Sequence, residues 1–302
     1  MVSAIIITKD RALLLKKAIE SVLQQSYKDI ECIVVDDASI DNTEKVVMSY
    51  GNKVKYIRID KKNSRGGNYA RNLGIKYSSG EYLAFLDDDD VWLPEKIGLQ
   101  CNAITQTPDV GLVYCGRKNI YITDDQEYEI DVFPDKGNRG NISRKIMYTI
   151  PCLTSTIFVK RSVLKEVGLF DEKMRFWQEY ELLIRIAQKT NFAFINQCLV
   201  LYSCDEKSKS RLTNKYYEWL LAVDYVHKKH IYLYNDLSLF GKSMYKLLVA
   251  SEAKKRSKRA GLKKNERMFI LLDYYSSFIL AFPFLCFRKL YKNCSILQYM
   301  EK

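Results

Sequence analysis

Apolar and polar positions alternate in blocks through the first ninety residues. SAIIIT, residues 3–8, is a short β-branched run of the kind that forms a buried strand. From Arg11 onward, Leu14, Leu15, Ala18, Ile19, Val22 and Leu23 recur at the spacing of one helix face. ECIVVDD predicts a second strand, and Asp41-Asn42-Thr43 offers helix-starting side chains ahead of Val46 and Val47. KVKYIRI predicts a third strand, NYARNLGIKYSS a third helix and EYLAFLDDDD a fourth strand. Strand and helix repeated in this order imply parallel strands joined by right-handed crossovers, hence a layered α/β sheet.

Beyond residue 95 the beat is less regular. The pattern predicts a helix after Pro94, a strand at VGLVYC, a polar loop near residues 124–141 and another strand at CLTSTIFV. An imperfect helix stripe then runs through Tyr180, Leu182, Leu183, Ile184 and Ile186, with Glu179 near its first turn. Residues 205–302 read as several helices with little turn chemistry. Their apolar stretch 268–287 would span roughly 30 Å as a helix, long enough on paper to cross a bilayer. Asp273, Ser276, Ser277 and Pro283 interrupt it, and Tyr274 and Tyr275 suit an interface.

Charge sharpens this division. The net charge is +12, yet residues 1–204 hold 28 Lys and Arg against 27 Asp and Glu, whereas residues 205–302 hold 20 against 9. The basic stretch AKKRSKRAGLKKNER directly precedes the apolar one. That pairing favours a helix lying in the headgroup layer of a membrane. A spanning helix, and a helix packed on the first domain with a solvated basic face, are the alternatives. Nucleic acid is not expected as a partner, because no upstream segment resembles a nucleic-acid-binding module. The eight cysteines, Cys286 and Cys294 among them, stand singly, and with only His227 and His230 in the chain a Cys/His zinc site is not expected. They read as small core residues in a reducing, cytosolic setting. MVSAIIITKD is a strand pattern, too short and without the basic start of a signal peptide.

The unusual chemistry is acidic. In FLDDDDVW four adjacent carboxylates follow a buried strand, and an ionised carboxylate is costly away from water unless paired or metal-bound. Ligands of layered α/β sheets bind at the carboxyl ends of the strands. Asp36-Asp37 end the second strand and Asp87–Asp90 the fourth, so both clusters fall on that edge. Capping of the following helices is the bland alternative for either cluster taken singly. Asp36 reads as structural support for its neighbour, Asp90 as a cap for the helix entered through Pro94, and Gly66-Gly67 as a tight turn.

Three strings, SAIIITKDRALLLKKAIESVLQQSYKDIECIVVDDASIDNTEKVV, NSRGGNYARNLGIKYSSGEYLAFLDDDDVWLPEKI and LFDEKMRFWQEYELLIRI, resemble family 2 glycosyltransferases of the GT-A fold, in the family's order and across residues 2–204. The resemblance implies a Rossmann-like, mixed but mostly parallel sheet flanked by helices over 1–204, with 205–302 as a basic helical extension that associates with a membrane. It implies that Asp37 accepts a hydrogen bond from the base of a nucleotide sugar, that Thr8, Arg71, Asp87 and Asp88 line the rest of the donor, and that Asp89, with Asp87, ligates Mg2+ or Mn2+. Glu179 takes the place of the catalytic base, where the family commonly has Asp, and Glu181 is the substitute candidate. TKDR stands where T-Y-N-R is commoner. The Q-x-x-R-W motif of processive members is missing around Trp92, Trp177 and Trp219, which implies transfer of one sugar per encounter. The implied reaction is an inverting transfer from a UDP-hexose or UDP-N-acetylhexosamine to a hydroxyl of a lipid-linked oligosaccharide, at the inner face of the cell membrane, in cell-surface polysaccharide synthesis. Two rivals use similar acids: a nucleotidyltransferase, which would need a glycine-rich loop absent from TKDRALLLK, and a non-enzymatic, receiver-like Mg2+-binding module, which has no use for the segment around Glu179.

Overall fold

The structure, a computed structural model, describes residues 1–123, 126–205 and 215–290, without the side chains of residue 205 and residues 284–290. Cys294, the side chain of Cys286 and the last four side chains of the 268–287 run therefore lie outside the described residues. The chain divides into two compact units, Met1–Ile142 with Pro151–Lys207, and Ser143–Ile150 with Ser208–Lys302.

The first unit begins with the alternation read from the sequence: β1 (Val2–Thr8), α1 (Ala12–Leu23), β2 (Ile30–Asp36), α2 (Thr43–Met48), β3 (Val54–Arg58), α3 (Gly67–Tyr77) and β4 (Tyr82–Asp87). There follow β5 (Val91–Trp92), α4 (Lys96–Gln106), β6 (Val110–Ile122), β7 (Glu127–Val132), β8 (Phe158–Lys160), α5 (Arg161–Val167), α6 (Gln178–Ala187) and β9 (Asn191–Asp205). One mixed sheet has the order β3-β2-β1-β4-β8-β6-β9-β5, with β7 on β6. Strands β3, β2, β1 and β4 are parallel, and β8 is antiparallel to both β4 and β6. Register sets the active edge: Thr8 lies opposite Asp36, and Ile7 opposite Asp87. Of the stripe predicted for it, helix α1 buries Leu15, Ala18, Ile19 and Val22 in the core with Ala4, Ile6 and Val34, whereas Leu23 is only partly buried and Leu14 is exposed. Gly74 lets α3 approach closely, because a Cβ there would sit 2.5 Å from Ile5 Cγ2.

Two expectations are corrected. CLTSTIFV is a strand only at its end; Thr154–Thr156 form a 3-10 turn whose buried hydroxyls bond to neighbouring groups instead of continuing a ladder. The polar loop expected near 124–141 contains β7, paired antiparallel with β6 from Arg117↔Val132 to Ile122↔Glu127. Its residues are mostly exposed, so the apolar signal of a strand is weak. Strand β9, fifteen residues long, had no counterpart among the predicted elements.

The second unit contains α7 (Tyr216–Lys229), α8 (Ile231–Asn235), α9 (Leu239–Arg259) and α10 (Lys264–Leu290). Trp219 is buried, with the Arg256 guanidinium 5.3 Å from its ring centre. Tyr148, from the 143–150 segment, meets Phe240 edge-on at 5.9 Å. On α10, Ser277 and Ala281 face inward, whereas Met268, Leu272, Tyr275, Ile279 and Phe282 share an exposed apolar face at helical spacing. No helix among the described residues is long and apolar enough to cross a membrane.

Candidate active site

Each acidic cluster places its members differently. At the end of β2, Asp36 is fully buried. Tyr56 Oη donates to its Oδ2 at 2.6 Å and the Ser39 amide donates to its Oδ1 at 2.8 Å. Arg58 approaches to 3.8 Å. Asp37 is 6% exposed, with Lys9 Nζ at 3.5 Å from Oδ2 and no hydrogen-bond partner for its buried Oδ1. Its amide donates to the Thr8 carbonyl at 2.9 Å, which ties the ends of β1 and β2 together.

The loops leaving these strands hold two strained residues, Asp10 at φ 53° and Ala38 at φ 63°. Non-glycine residues occupy this left-handed region at a cost and persist where surrounding bonds impose it. Those bonds are visible. Asp10 donates its amide to Ser39 Oγ at 2.8 Å and accepts the Ile40 amide at 2.7 Å. Asp41 accepts amides from the first residues of both α1 and α2, Ala12 at 2.9 Å and Thr43 at 3.0 Å. Three hydrogen bonds thus bind the two loops into one ledge.

At the end of β4, Asp87 to Asp90 make a tight turn closed by the Asp90 amide donating to the Asp87 carbonyl at 3.1 Å. Arg71, buried on α3, contacts Asp87 Oδ1 at 2.6 Å. Thr8 Oγ1 donates to Asp88 Oδ2 at 2.8 Å, and Arg11 Nη1 reaches Asp88 Oδ1 at 3.0 Å and Asp89 Oδ2 at 3.2 Å. Burial pushes the Asp88 carboxyl up to about 6 against the pull of Arg11 and Thr8, and the neighbouring charge of Asp89 adds to the rise. Asp90 is not the helix cap expected of it. Its carboxylate is buried, accepting the Ser155 hydroxyl and, at 3.1 Å, the Ser203 amide, and burial holds its pKa well above the ordinary range. Residue Glu95, not Asp90, precedes α4, and it makes no side-chain cap.

The late segment reaches the same place. Arg71 Nη1 donates to Gln178 Oε1 at 2.8 Å, so one guanidinium links the Asp87 turn to the first residue of α6. Asn68 Nδ2, one turn earlier on α3, donates to the carbonyls of Asp171 and Met174. Entry to α6 passes through Trp177 at φ 51°. Glu179, half-buried in the first turn, lies close enough to Cys152 that its charge, after burial, raises that thiol. Glu181 is fully buried, and Arg185 clasps both its oxygens, at 2.9 and 2.7 Å. Arg185 also donates to the carbonyls of Val167, Gly168 and Leu169, so this ion pair staples α6 to the end of α5.

Thr8, Arg71, Asp87 and Asp88 are therefore joined by direct contacts, with Asp89 added through Arg11. Asp37 stands on the same edge beside Lys9, and Glu179 follows the residue that Arg71 holds. Arg11, Gln178 and Ser155 had not been singled out from the sequence; the arginine of TKDR, one strand end away from four acids, carried a readable charge signal. Among the described residues, no three or more carboxylate, imidazole or thiol groups converge as a ready-made metal cage.

This architecture is shared with solved GT-A glycosyltransferases. Staphylococcus aureus TarS residues 1–349, in complex with UDP-GlcNAc, superposes with a TM-score of 0.57 at 18% identity, covering 92% of this chain and 72% of that one. The mannosyltransferase PcManGT of Pyrobaculum calidifontis, in complex with GDP-Man and Mn2+, gives 0.53 at 17%, covering 97% and 87%. The chain belongs to glycosyl transferase family 2, whose model matches residues 3–168. An uncharacterized glycosyltransferase of Rickettsia typhi is 34% identical over 207 residues, 66% of this chain and 63% of the relative. Family membership sets aside the nucleotidyltransferase and the receiver-like module.

Proposed function

We propose that this chain is an inverting, metal-dependent, non-processive glycosyltransferase that moves a hexose or N-acetylhexosamine from a UDP-sugar to an acceptor hydroxyl. The observation that carries this reading is the bridge made by Arg71, which brings the carboxylate turn of β4 next to the first turn of α6. Donor-holding groups and a candidate base are thereby linked through one guanidinium.

Asp37 receives the base of the donor: its buried, unpartnered Oδ1 is an acceptor awaiting a donor N–H, such as that of uracil. Thr8, Asp87, Asp88 and Arg71 line the rest of the nucleotide sugar. Asp89 and Asp87 would hold Mg2+ or Mn2+. The incomplete protein cage fits such an ion, which takes one or two carboxylates and fills its shell with phosphate and water oxygens. When bound, it supplies positive charge against the departing diphosphate. Glu179 accepts the proton of the acceptor hydroxyl as that oxygen bonds to the anomeric carbon, while the diphosphate leaves from the opposite face with its electron pair. One displacement with no covalent intermediate inverts that carbon. Glu181 has no part in this chemistry, because both its oxygens are engaged by Arg185.

Residues 1–204 form the catalytic domain in this reading, and 205–302 bring it to a membrane. The exposed apolar face of α10 follows the cationic end of α9, a combination that suits the anionic inner face of a cell membrane. The acceptor is then a lipid-linked oligosaccharide of cell-surface polysaccharide synthesis.

Calorimetric titration of the chain with nucleoside diphosphates, with and without Mn2+, tests the donor site. Expected is UDP-selective, Mn2+-dependent binding that Asp89→Ala weakens; no nucleotide binding under any condition would overturn the assignment.

A further inference from the structure

Within the turn of four aspartates, the residue farthest from solvent has both of its oxygens engaged by residues distant in sequence. Asp90 is 1% exposed, and its two oxygens accept from Ser155 Oγ and the Ser203 amide. Ser155, on the 3-10 turn Thr154–Thr156, is equally buried. Its single hydroxyl proton goes to Asp90, and the same oxygen accepts the Asp87 amide at 3.2 Å. Its carbonyl accepts the indole N–H of Trp92 at 2.8 Å, and the Trp92 ring is buried. One hydroxyl therefore grips the turn at its first residue and at its last.

Such a grip answers a physical problem. Asp87, Asp88 and Asp89 carry like charges, and repulsion between neighbours favours an open, spread turn. A single backbone bond between Asp90 and Asp87 is a weak restraint against it. The hydroxyl adds a second closure across the same two residues, from a wall that packing around Trp92 prevents from yielding. Ligating groups must be held to within about 0.5 Å to act together, and this is done by the residues behind them.

We propose that Ser155 and Asp90 are positioning residues that hold the turn closed, so that Asp87, Asp88 and Asp89 face a divalent cation and a diphosphate as one set. The proposal rests on the donor-site reading above. Neither residue touches substrate; Asp90 is the acid withdrawn from the cluster to anchor the others.

The test uses full-length Ser155→Ala and Ser155→Thr, read first by hydrogen exchange of the segment 85–92 without any ligand. Ser155→Ala is expected to speed exchange in that segment about tenfold while β1 and β2 keep wild-type protection; Ser155→Thr, which retains the hydroxyl, stays near wild type. Titration with Mn2+ alone, followed by electron paramagnetic resonance, is expected to weaken 10–100-fold in Ser155→Ala, the range typical of lost outer-shell partners, and to recover in Ser155→Thr. Wild-type exchange in Ser155→Ala, or an increase spread evenly over the whole sheet, overturns the proposal. If Ser155→Ala does not fold, Asp90→Asn carries the same measurements, with a smaller rise confined to 85–92 expected and none overturning it. A wild-type chain that binds no Mn2+ even with UDP present sinks the metal reading, while the exchange result still decides the clamp.

Discussion

The two acidic clusters solve the same problem with different partners. Each turns one carboxylate inward and saturates it: Asp36 with Tyr56 and Ser39, Asp90 with Ser155 and Ser203. Each leaves other carboxylates on the ligand side of the edge. There the clusters part. Asp37 has one lysine at 3.5 Å and an oxygen without a partner, whereas Asp87, Asp88 and Asp89 face two arginines. In the proposed reading the first takes a single N–H donor and the second concentrated positive charge.

The largest effect is expected from an acid outside both clusters. Glu179→Gln should lower kcat by about 10²–10⁴-fold with UDP affinity unchanged, as measured by steady-state transfer and calorimetry; an equal loss of affinity would place Glu179 in the donor site. Within the first cluster the two neighbours should part company. Asp36→Ala, which orphans buried donors, is expected to cost about 3 kcal/mol of stability in urea melts. Asp37→Ala should leave the melt close to wild type and weaken UDP by roughly tenfold or more; matching melts for the two would erase the distinction between inward and outward acids.

Lys96 gives a smaller effect with a defined sign. It is fully buried, donating to Gln100 Oε1 at 2.8 Å with the Trp92 ring 4.0 Å away, and burial lowers its pKa to about 8. Since the unfolded chain holds this proton more tightly, Lys96 weakens the fold below about pH 8, and the penalty fades as pH rises toward 10.5. Wild type minus Lys96→Met stability should therefore climb by about 2 kcal/mol between pH 8 and 10.5; a flat difference would mean the lysine is not desolvated. Smallest is the surface term: Lys258→Ala, which removes one exposed charge, should weaken binding to anionic vesicles by about 1 kcal/mol, measured by flotation, without changing UDP affinity.

The regular half of the fold was legible because its signals are local. Leu15, Ile19 and Val22 announce α1, and ECIVVDD announces a buried strand with its acids at the ligand edge. The failures arise where a hydrogen-bond partner, near or distant, overrides composition, or where a strand is an exposed edge. Asp90 resembles a helix cap until Ser155 and Ser203 are brought to it across 65 and 113 residues. CLTST has the β-branched composition of a strand, yet its hydroxyls are consumed by local and cross-sheet bonds. Strand β7 is an exposed edge and carries little apolar pattern. The sequence places Glu179 and Glu181 alike in the first turn of a helix, and only the fold brings Arg185 onto both oxygens of the latter.

Asp90 also has a position along the thread of the chain. The polypeptide passes between the two units at three places, after Ile142, before Pro151 and after Lys207. Ser155 lies just inside the second of these passages and Ser203 just inside the third, and both are hydrogen-bonded to the same carboxylate. Two segments of the first unit are thus tied to one side chain at the base of the aspartate turn, so that loss of this carboxylate would loosen both at once.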